Sequence, residues 1–340
     1  MPVTSAAWHL VRRPNGEVVD DDVALVEHEL DDPGPGEVLV RNTWLSVDPY
    51  MRGRMNDAKS YVAPFALDEP MDGGAVGVVE QVGPDVEGLA VGDTVLHGLG
   101  WRERAVLPGR RTQRVDVELA PPQAYLGALG MPGLTAYAGL LDVAAMQEGD
   151  VVFVSAAAGA VGSLVCQIAR LKGASQVIGS AGGPAKTQWL LDELGVTHAL
   201  DYKAAPIRQQ LREVAPEGID VYFDNVGGDH LEAAIGALRL HGRAALCGAV
   251  SAYNATEPPP GPRNLVRLVQ NRLTLRGFLV GDHADARPRF LTDMAGWLAE
   301  GKITWRETVT EGIGSAPEAF RSLLSGGNTG KMLVRLEPDS

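Results

Sequence analysis

Residues 151–163, Val151-Val152-Phe153-Val154-Ser155-Ala156-Ala157-Ala158-Gly159-Ala160-Val161-Gly162-Ser163, decide how this chain is read. Four apolar, strand-forming residues run into small residues and two glycines three apart. Leu164 to Lys172 then carries apolar residues at helical spacing until Gly173 stops it. A strand, a tight turn and a helix start in this order offer backbone N–H groups at a helix N-terminus, where parallel α/β folds receive a pyrophosphate. A full fingerprint would have glycine at 157 as well as at 159 and 162; Ala157 is compatible with the turn provided its φ stays negative. The stretch therefore predicts a dinucleotide turn made by Ala158, Gly159, Ala160, Val161 and Gly162.

Outward from this stretch, strands and helices alternate from about residue 123 to 300. Gln176–Ser180 reads as the second strand, followed by a helix that opens at Pro184 and closes at Gly195. A short strand around Ala199–Asp201 and a helix near Ile207–Val214 come next. Ile219–Phe223 leads through the turn Asp224–Gly228 to a helix over His230–Leu240. Strand Ala244–Cys247, a Pro-rich loop, a helix over Asn264–Gln270 and a strand over Leu273–Val280 complete the run. Repeated units of this kind call for a parallel sheet covered on both faces by helices. The first third differs: Glu37–Leu45, Gly74–Val82 and Val91–Leu96 are short β runs between Gly- and Pro-rich turns, as in a small barrel. Lys331–Leu336 reads as one more strand returning to it. The expected domains are thus a barrel at 1–122, completed by 301–340, and a dinucleotide domain at 123–300.

At 340 residues, with 45% hydrophobic and 21% charged residues, the composition is that of a globular protein large enough for two domains. A formal charge of −13 argues against nucleic acid as a partner. Cys166 and Cys247 are the only cysteines and read as small buried hydrophobes; two thiols cannot build a four-cysteine zinc lobe, and the seven histidines show no metal-ligand spacing. Met1–Arg13 has no signal-peptide pattern and no long uncharged apolar run follows, so the expectation is a cytoplasmic protein with neither metal nor membrane partner.

An acid at the end of the second strand, about 20 residues past the glycine turn, would mark NAD preference through the ribose 2′-hydroxyl. Ser180-Ala181-Gly182-Gly183 stands there instead, with Lys186 in the following helical turn and Tyr202 after the third strand. A missing carboxylate beside a cation and a phenol favours NADPH.

Several blocks are similar to the zinc-independent group of medium-chain dehydrogenases/reductases that holds prostaglandin, curcumin and plant double-bond reductases. They are Asp48-Pro49-Tyr50-Met51-Arg52-Gly53-Arg54-Met55, Gly130–Tyr137, Ala156–Gly162, Tyr222-Phe223-Asp224-Asn225-Val226-Gly227-Gly228, Cys247–Asn254 and Gly327-Asn328-Thr329-Gly330-Lys331. The resemblance implies a GroES-like β-barrel domain joined to a Rossmann doubly wound parallel sheet, and NADPH-dependent reduction of the C=C bond of an α,β-unsaturated ketone or aldehyde. It further implies hydride delivery to the β-carbon and an enolate stabilised by a neutral donor, for which Tyr253 is the candidate. Tyr50 would line the substrate cleft from the barrel side. Ser180, Asn225, Cys247, Gly248, Ala249, Ser251, Tyr253, Phe278, Val280 and Asn328 are the further cofactor contacts it implies. Arg52 and Arg54 read more readily as solvated or salt-bridged than as anchors for a substrate carboxylate. Related enzymes pair the late sheet edge across a two-fold axis, so Leu273–Val280 implies a homodimer. Quinone reduction and allylic-alcohol oxidation are sister activities open to the same scaffold.

Overall fold

A computed structural model describes residues 3–336. These divide into two compact units: residues 3–127, 307–328 and 332–336 form the first, and residues 128–306 and 329–331 the second.

The first unit begins with β1 (Val3–Leu10), β2 (Val23–Leu30), β3 (Glu37–Ser46), the short helix α1 (Tyr50–Arg54), β4 (Ala75–Val82), β5 (Thr94–His97), β6 (Arg104–Pro108) and β7 (Gln113–Arg114). β1 and β2, which were not expected from the sequence, pair antiparallel with each other. β3 is the hub, antiparallel to β4 and to β6. Its Val38 and Val40 meet Val79, Val95, Ala105 and Leu107 in a buried cluster, the alternation expected of a strand with one covered face.

The second unit holds α2 (Met131–Ala138), then β8 (Val151–Val154), α3 (Ala160–Leu171), β9 (Gln176–Ala181), α4 (Pro184–Asp192), β10 (His198–Asp201), α5 (Ile207–Val214), β11 (Ile219–Asp224), α6 (Gly228–Ala237), β12 (Leu238–Leu246), α7 (Val266–Asn271), β13 (Thr274–Gly277) and α8 (Arg287–Ala299). The strands lie in the order β10-β9-β8-β11-β12-β13, and every pairing is parallel. All four residues of β8 are buried, which is why a continuous Val-Val-Phe-Val run is stable there and nowhere on a surface. Phe153 stacks on Tyr222 of β11 at 5.1 Å. The strand order turns back between β8 and β11, and a crevice opens beyond the carboxyl ends of the strands at such a point.

Several boundaries differ from the sequence expectation: β5 starts at Thr94 where Val91 was expected, and α4 stops at Asp192, short of Gly195. The helix over His230–Leu240 is α6, which stops at Ala237, and β12 starts at once because Leu238 pairs with Ile219. His241, with φ 63°, and the register shift after Ile219 take up the irregularity. The helix over Asn264–Gln270 is α7, shifted toward its C-terminal end. The strand over Leu273–Val280 is cut to β13; Phe278 makes one last bond, its N–H to Leu246 O at 3.4 Å, and its ring lies edge-on to Phe223 at 6.2 Å.

The chain then contributes β14 (Glu307–Glu311), α9 (Ala316–Leu324) and β15 (Lys331–Arg335). Leu333, Val334 and Arg335 of β15 pair with Ser46, Leu45 and Trp44 of β3, completing the first unit as a barrel-type sheet. Among the described residues no helix is long and apolar enough to cross a membrane.

Candidate active site

From Val154 the chain turns through residues 155–159 into α3. The left-handed residue of this turn is Ala156, with φ 47°, and not Ala157. The Ala156 carbonyl accepts the Gly159 N–H at 2.9 Å. A Cβ on Gly162 would lie 2.3 Å from that same oxygen, so only glycine lets the first turn of α3 approach the loop this closely. The N–H groups of Ala160, Val161 and Gly162 open a twelve-residue helix that supplies them no carbonyl of its own. The turn is anchored on both sides: Ala157 N–H donates to Ser180 O at 2.8 Å, and Gly330 N–H donates to Ala158 O at 2.7 Å.

Beyond β9, Gly182 and Gly183 lead into α4. A Cβ on Gly182 would meet the Tyr202 hydroxyl at 2.8 Å and the Lys203 side chain at 3.0 Å. Lys186, in the first turn of α4, has its pKa lowered by burial and by the charge of Lys203. Two ammonium groups and a phenol therefore converge on one glycine turn. Ser180, fully buried, shares a hydrogen bond of 2.9 Å with His230 Nε2. His230 also meets the Tyr202 ring edge-on, and burial lowers its pKa so that the imidazole is held neutral.

At the ends of β11 and β12 the organising group is Asp224. Its buried Oδ1 accepts from the Tyr222 hydroxyl at 2.7 Å, Val226 N–H at 2.9 Å, Gly227 N–H at 2.8 Å and Ser155 Oγ at 3.3 Å. Its main-chain oxygen accepts from Cys247 N–H and Gly248 N–H. Burial and Asp224 raise the Tyr222 pKa, so this phenol stays protonated. Asn225 is fixed by donating its side-chain amide to Ser155 O at 2.8 Å, and Ser251 by donating its hydroxyl to Val226 O at 2.6 Å. Burial, with a contribution from Asp224, pushes the Cys247 thiol up to about 12, which leaves it inert as a nucleophile. The Tyr253 hydroxyl accepts the Ala249 N–H at 3.5 Å and lies where a Cβ on Gly248 would come within 3.2 Å of it. Phe278 packs against Phe223, and Val280 begins the turn that follows.

Tyr50 and Asn328 belong to the barrel unit. Tyr50 opens α1, and its pKa is raised by burial and by Asp48. Arg52 is buried and donates to Gly16 O and Asn56, while the half-buried Arg54 is salt-bridged to Asp72 at 3.6 Å and covers the Phe65 ring.

The structure thus gathers Ala158–Gly162, Ser180, Lys186, Tyr202, Asn225, Cys247, Gly248, Ala249, Ser251 and Tyr253 along the carboxyl edge of one sheet. It adds Ser155, Asp201, Lys203, Asp224 and His230, which sequence reasoning did not assign; Lys203 could have been noticed from its place beside Tyr202. Helix-start N–H groups at one turn and two cations at the next fit an elongated dinucleotide carrying an extra phosphate on its adenosine ribose.

Comparison with known proteins follows the same division. Residues 6–115 match a family described as the N-terminal domain of oxidoreductase, and residues 160–296 one described as zinc-binding dehydrogenase. The NADPH-dependent curcumin reductase of Escherichia coli is 41% identical over 98% of this chain and 97% of its own. Bovine (Bos taurus) prostaglandin reductase 1 is 40% identical over 98% and 99%. The crystal structure of CurA from Vibrio vulnificus in complex with NADPH superposes with a TM-score of 0.93 at 43% identity, covering 98% of this chain and all of that one.

Proposed function

Because the chain belongs to the zinc-independent medium-chain dehydrogenases/reductases, in the group of the curcumin and prostaglandin reductases, we propose that it reduces the C=C bond of α,β-unsaturated ketones and aldehydes with NADPH. When bound, NADPH supplies the hydride. The chain's own residues supply position and charge. N–H groups of Ala160, Val161 and Gly162 hold the diphosphate, while Lys186 and Tyr202 hold the 2′-phosphate.

The observation that carries the reading is the position of the Tyr253 hydroxyl. It follows β12, accepts the Ala249 N–H, and shares the surroundings of Gly248 with Asn225 and so with the Asp224 network. As the β-carbon is reduced, negative charge gathers on the substrate carbonyl oxygen, and a neutral phenol there stabilises the transition state. Tyr50, in the barrel unit, is kept protonated by burial and by Asp48. Loss of one such donor costs about 10²–10³ in rate, so Tyr253→Phe is expected to lower kcat by that factor with the NADPH Kd unchanged. An unaltered kcat removes Tyr253 from the role.

The test of the function follows NADPH absorbance against an enone, an enal, a quinone and an allylic alcohol, with products identified by mass. Saturation of the enone and enal C=C bond is the expected result; turnover confined to the quinone or the alcohol would overturn it. The proposal includes a homodimer formed along β13, the last strand of the sheet, beside which Leu265, Val266 and Val269 are exposed. A monomer in light scattering at micromolar concentration would contradict this. It also includes the cytoplasm as compartment, in keeping with two unpaired thiols, Cys166 and Cys247.

A further inference from the structure

An acid stands among the cations at the Gly182–Gly183 turn. Asp201 ends β10, and its Oδ1 accepts the Gly183 N–H and the Lys203 N–H, each at 2.9 Å. Two further bonds sit on the same bridge: Tyr202 N–H donates to Ala181 O at 3.2 Å, and Gln210 Nε2 donates to Asp201 O at 2.8 Å. One carboxylate oxygen thus ties the loop that leads into α4, which carries Lys186, to the loop after β10, which carries Tyr202 and Lys203. Gly183 has φ 93°, a conformation that favours glycine. An acid beside a phosphate subsite ordinarily repels the phosphate. This one lies on the third strand, not the second, and the oxygen it turns toward the loops already accepts two backbone amides.

We propose that Asp201 is a positioning residue for cofactor selection: its hydrogen bonds hold Lys203 over the Gly182–Gly183 turn, and Lys203 is the second cation for a 2′-phosphate. The carboxylate acts through the shape it imposes, and its charge works against it. Hydrogen bonding and charge are separable by substitution, because Asp201→Asn keeps an Oδ1 acceptor for both amides while removing the charge, whereas Asp201→Ala removes the acceptor. The inference rests on the NADPH reading above.

The probes are adenosine 2′-monophosphate, adenosine 5′-monophosphate, NADPH and NADH, titrated calorimetrically without substrate. Asp201→Ala is expected to weaken adenosine 2′-monophosphate and NADPH about tenfold or more while leaving NADH and adenosine 5′-monophosphate within about twofold. Asp201→Asn should restore NADPH binding to the wild-type level or tighter, which a loss of fold would not do. Lys203→Met, which leaves the Asp201 bridge intact, should reproduce the selective loss with an unchanged Tm, and it decides the matter if Asp201→Ala does not fold. Equal weakening of NADPH and NADH by Asp201→Ala, or wild-type NADPH binding in Lys203→Met, would overturn the proposal. A wild-type protein that binds both adenosine monophosphates alike would instead overturn the NADPH reading beneath it.

Discussion

Gly162→Ala tests the dinucleotide turn most directly. The new Cβ would lie 2.3 Å from Ala156 O, 2.8 Å from Ala157 Cα and 2.9 Å from Ala156 C. All three are backbone atoms, so no rotamer change relieves the contact, and helix and loop must separate by about 1 Å to reach even a tight carbon–oxygen distance. Overpacking of this kind costs about 1–3 kcal/mol. The better helix propensity of alanine returns at most about 1 kcal/mol. The net expectation is a loss of about 1–2 kcal/mol, or roughly 2–8 °C in the Tm of a unit this size. Binding suffers separately, because the same displacement moves the N–H groups of the first turn of α3. Losing one hydrogen bond to a charged phosphate, worth about 1.5–3 kcal/mol, raises the NADPH Kd by roughly 10–100-fold. Gly159→Ala is the control: its Cβ would stand 3.2 Å from Ala156 O, a contact that yields with a small adjustment, and its cost is about 0.5 kcal/mol as a change of cap residue. Differential scanning calorimetry of the apo protein and calorimetric titration with NADPH read the two effects. A Gly162→Ala protein within about 1 °C and about twofold of wild type would refute the argument that this carbonyl dictates glycine.

Ala156→Gly is expected to raise the Tm by about 1–4 °C, since relief of a left-handed alanine, about 1–2 kcal/mol, exceeds the chain entropy that glycine adds, about 0.5–1 kcal/mol; a lower Tm would show that Ala156 is not strained. His97 in the barrel unit donates from Nε2 to Asn42 Oδ1 and accepts Leu99 N–H at Nδ1, and burial, with Arg102, pushes its pKa from 6.5 down to about 4. The unfolded chain therefore binds the proton first as pH falls, so stability present above pH 6.5 is lost between there and about pH 4, on the order of 3 kcal/mol. His97→Gln should flatten the curve of unfolding free energy against pH by about that amount; parallel curves for the two proteins would exclude His97 as the source.

The strand–turn–helix of 151–173 was legible because local chemistry alone settles it: four consecutive apolar residues, small turn residues and a terminal glycine need no distant partner. The ends of α6 and β12 were not. Leu231, Ile235 and Leu238 repeat at helical spacing, and the segment becomes a strand at Leu238 only because Ile219, on the other side of α6, offers it a ladder partner. Sheet order was hidden for the same reason, since the sequence presents βα units but not which neighbour each strand takes. At the site, Lys186 and Tyr202 could be found by asking what replaces the missing acid after the second strand. Lys203 was within reach too, as the neighbour of Tyr202, but Asp201 and His230 were not, because their roles come from contacts with the Gly183 N–H and with Ser180 on other segments of the chain. Asp224 sat inside a quoted block, yet nothing in Tyr-Phe-Asp-Asn reveals that one carboxylate oxygen gathers four donors.

The formal charge of −13 sets a problem that this arrangement answers by distance. At physiological ionic strength charges farther than about 8 Å apart are largely screened, so most of the acidic surface acts on a bound anion only weakly. Groups within that radius decide the outcome, and they are of two kinds. At the α3 turn they are backbone N–H dipoles, which carry no counter-charge and cannot be titrated away. At the Gly182–Gly183 turn they are two ammonium groups, and burial together with the charge of Lys203 lowers the proton affinity of Lys186, a cost in the empty protein that a doubly charged phosphate would offset. An acidic chain can therefore hold an anionic cofactor without a basic surface, provided that its few cations are forced together by bonds like those of Asp201, with both of its amide donors at 2.9 Å.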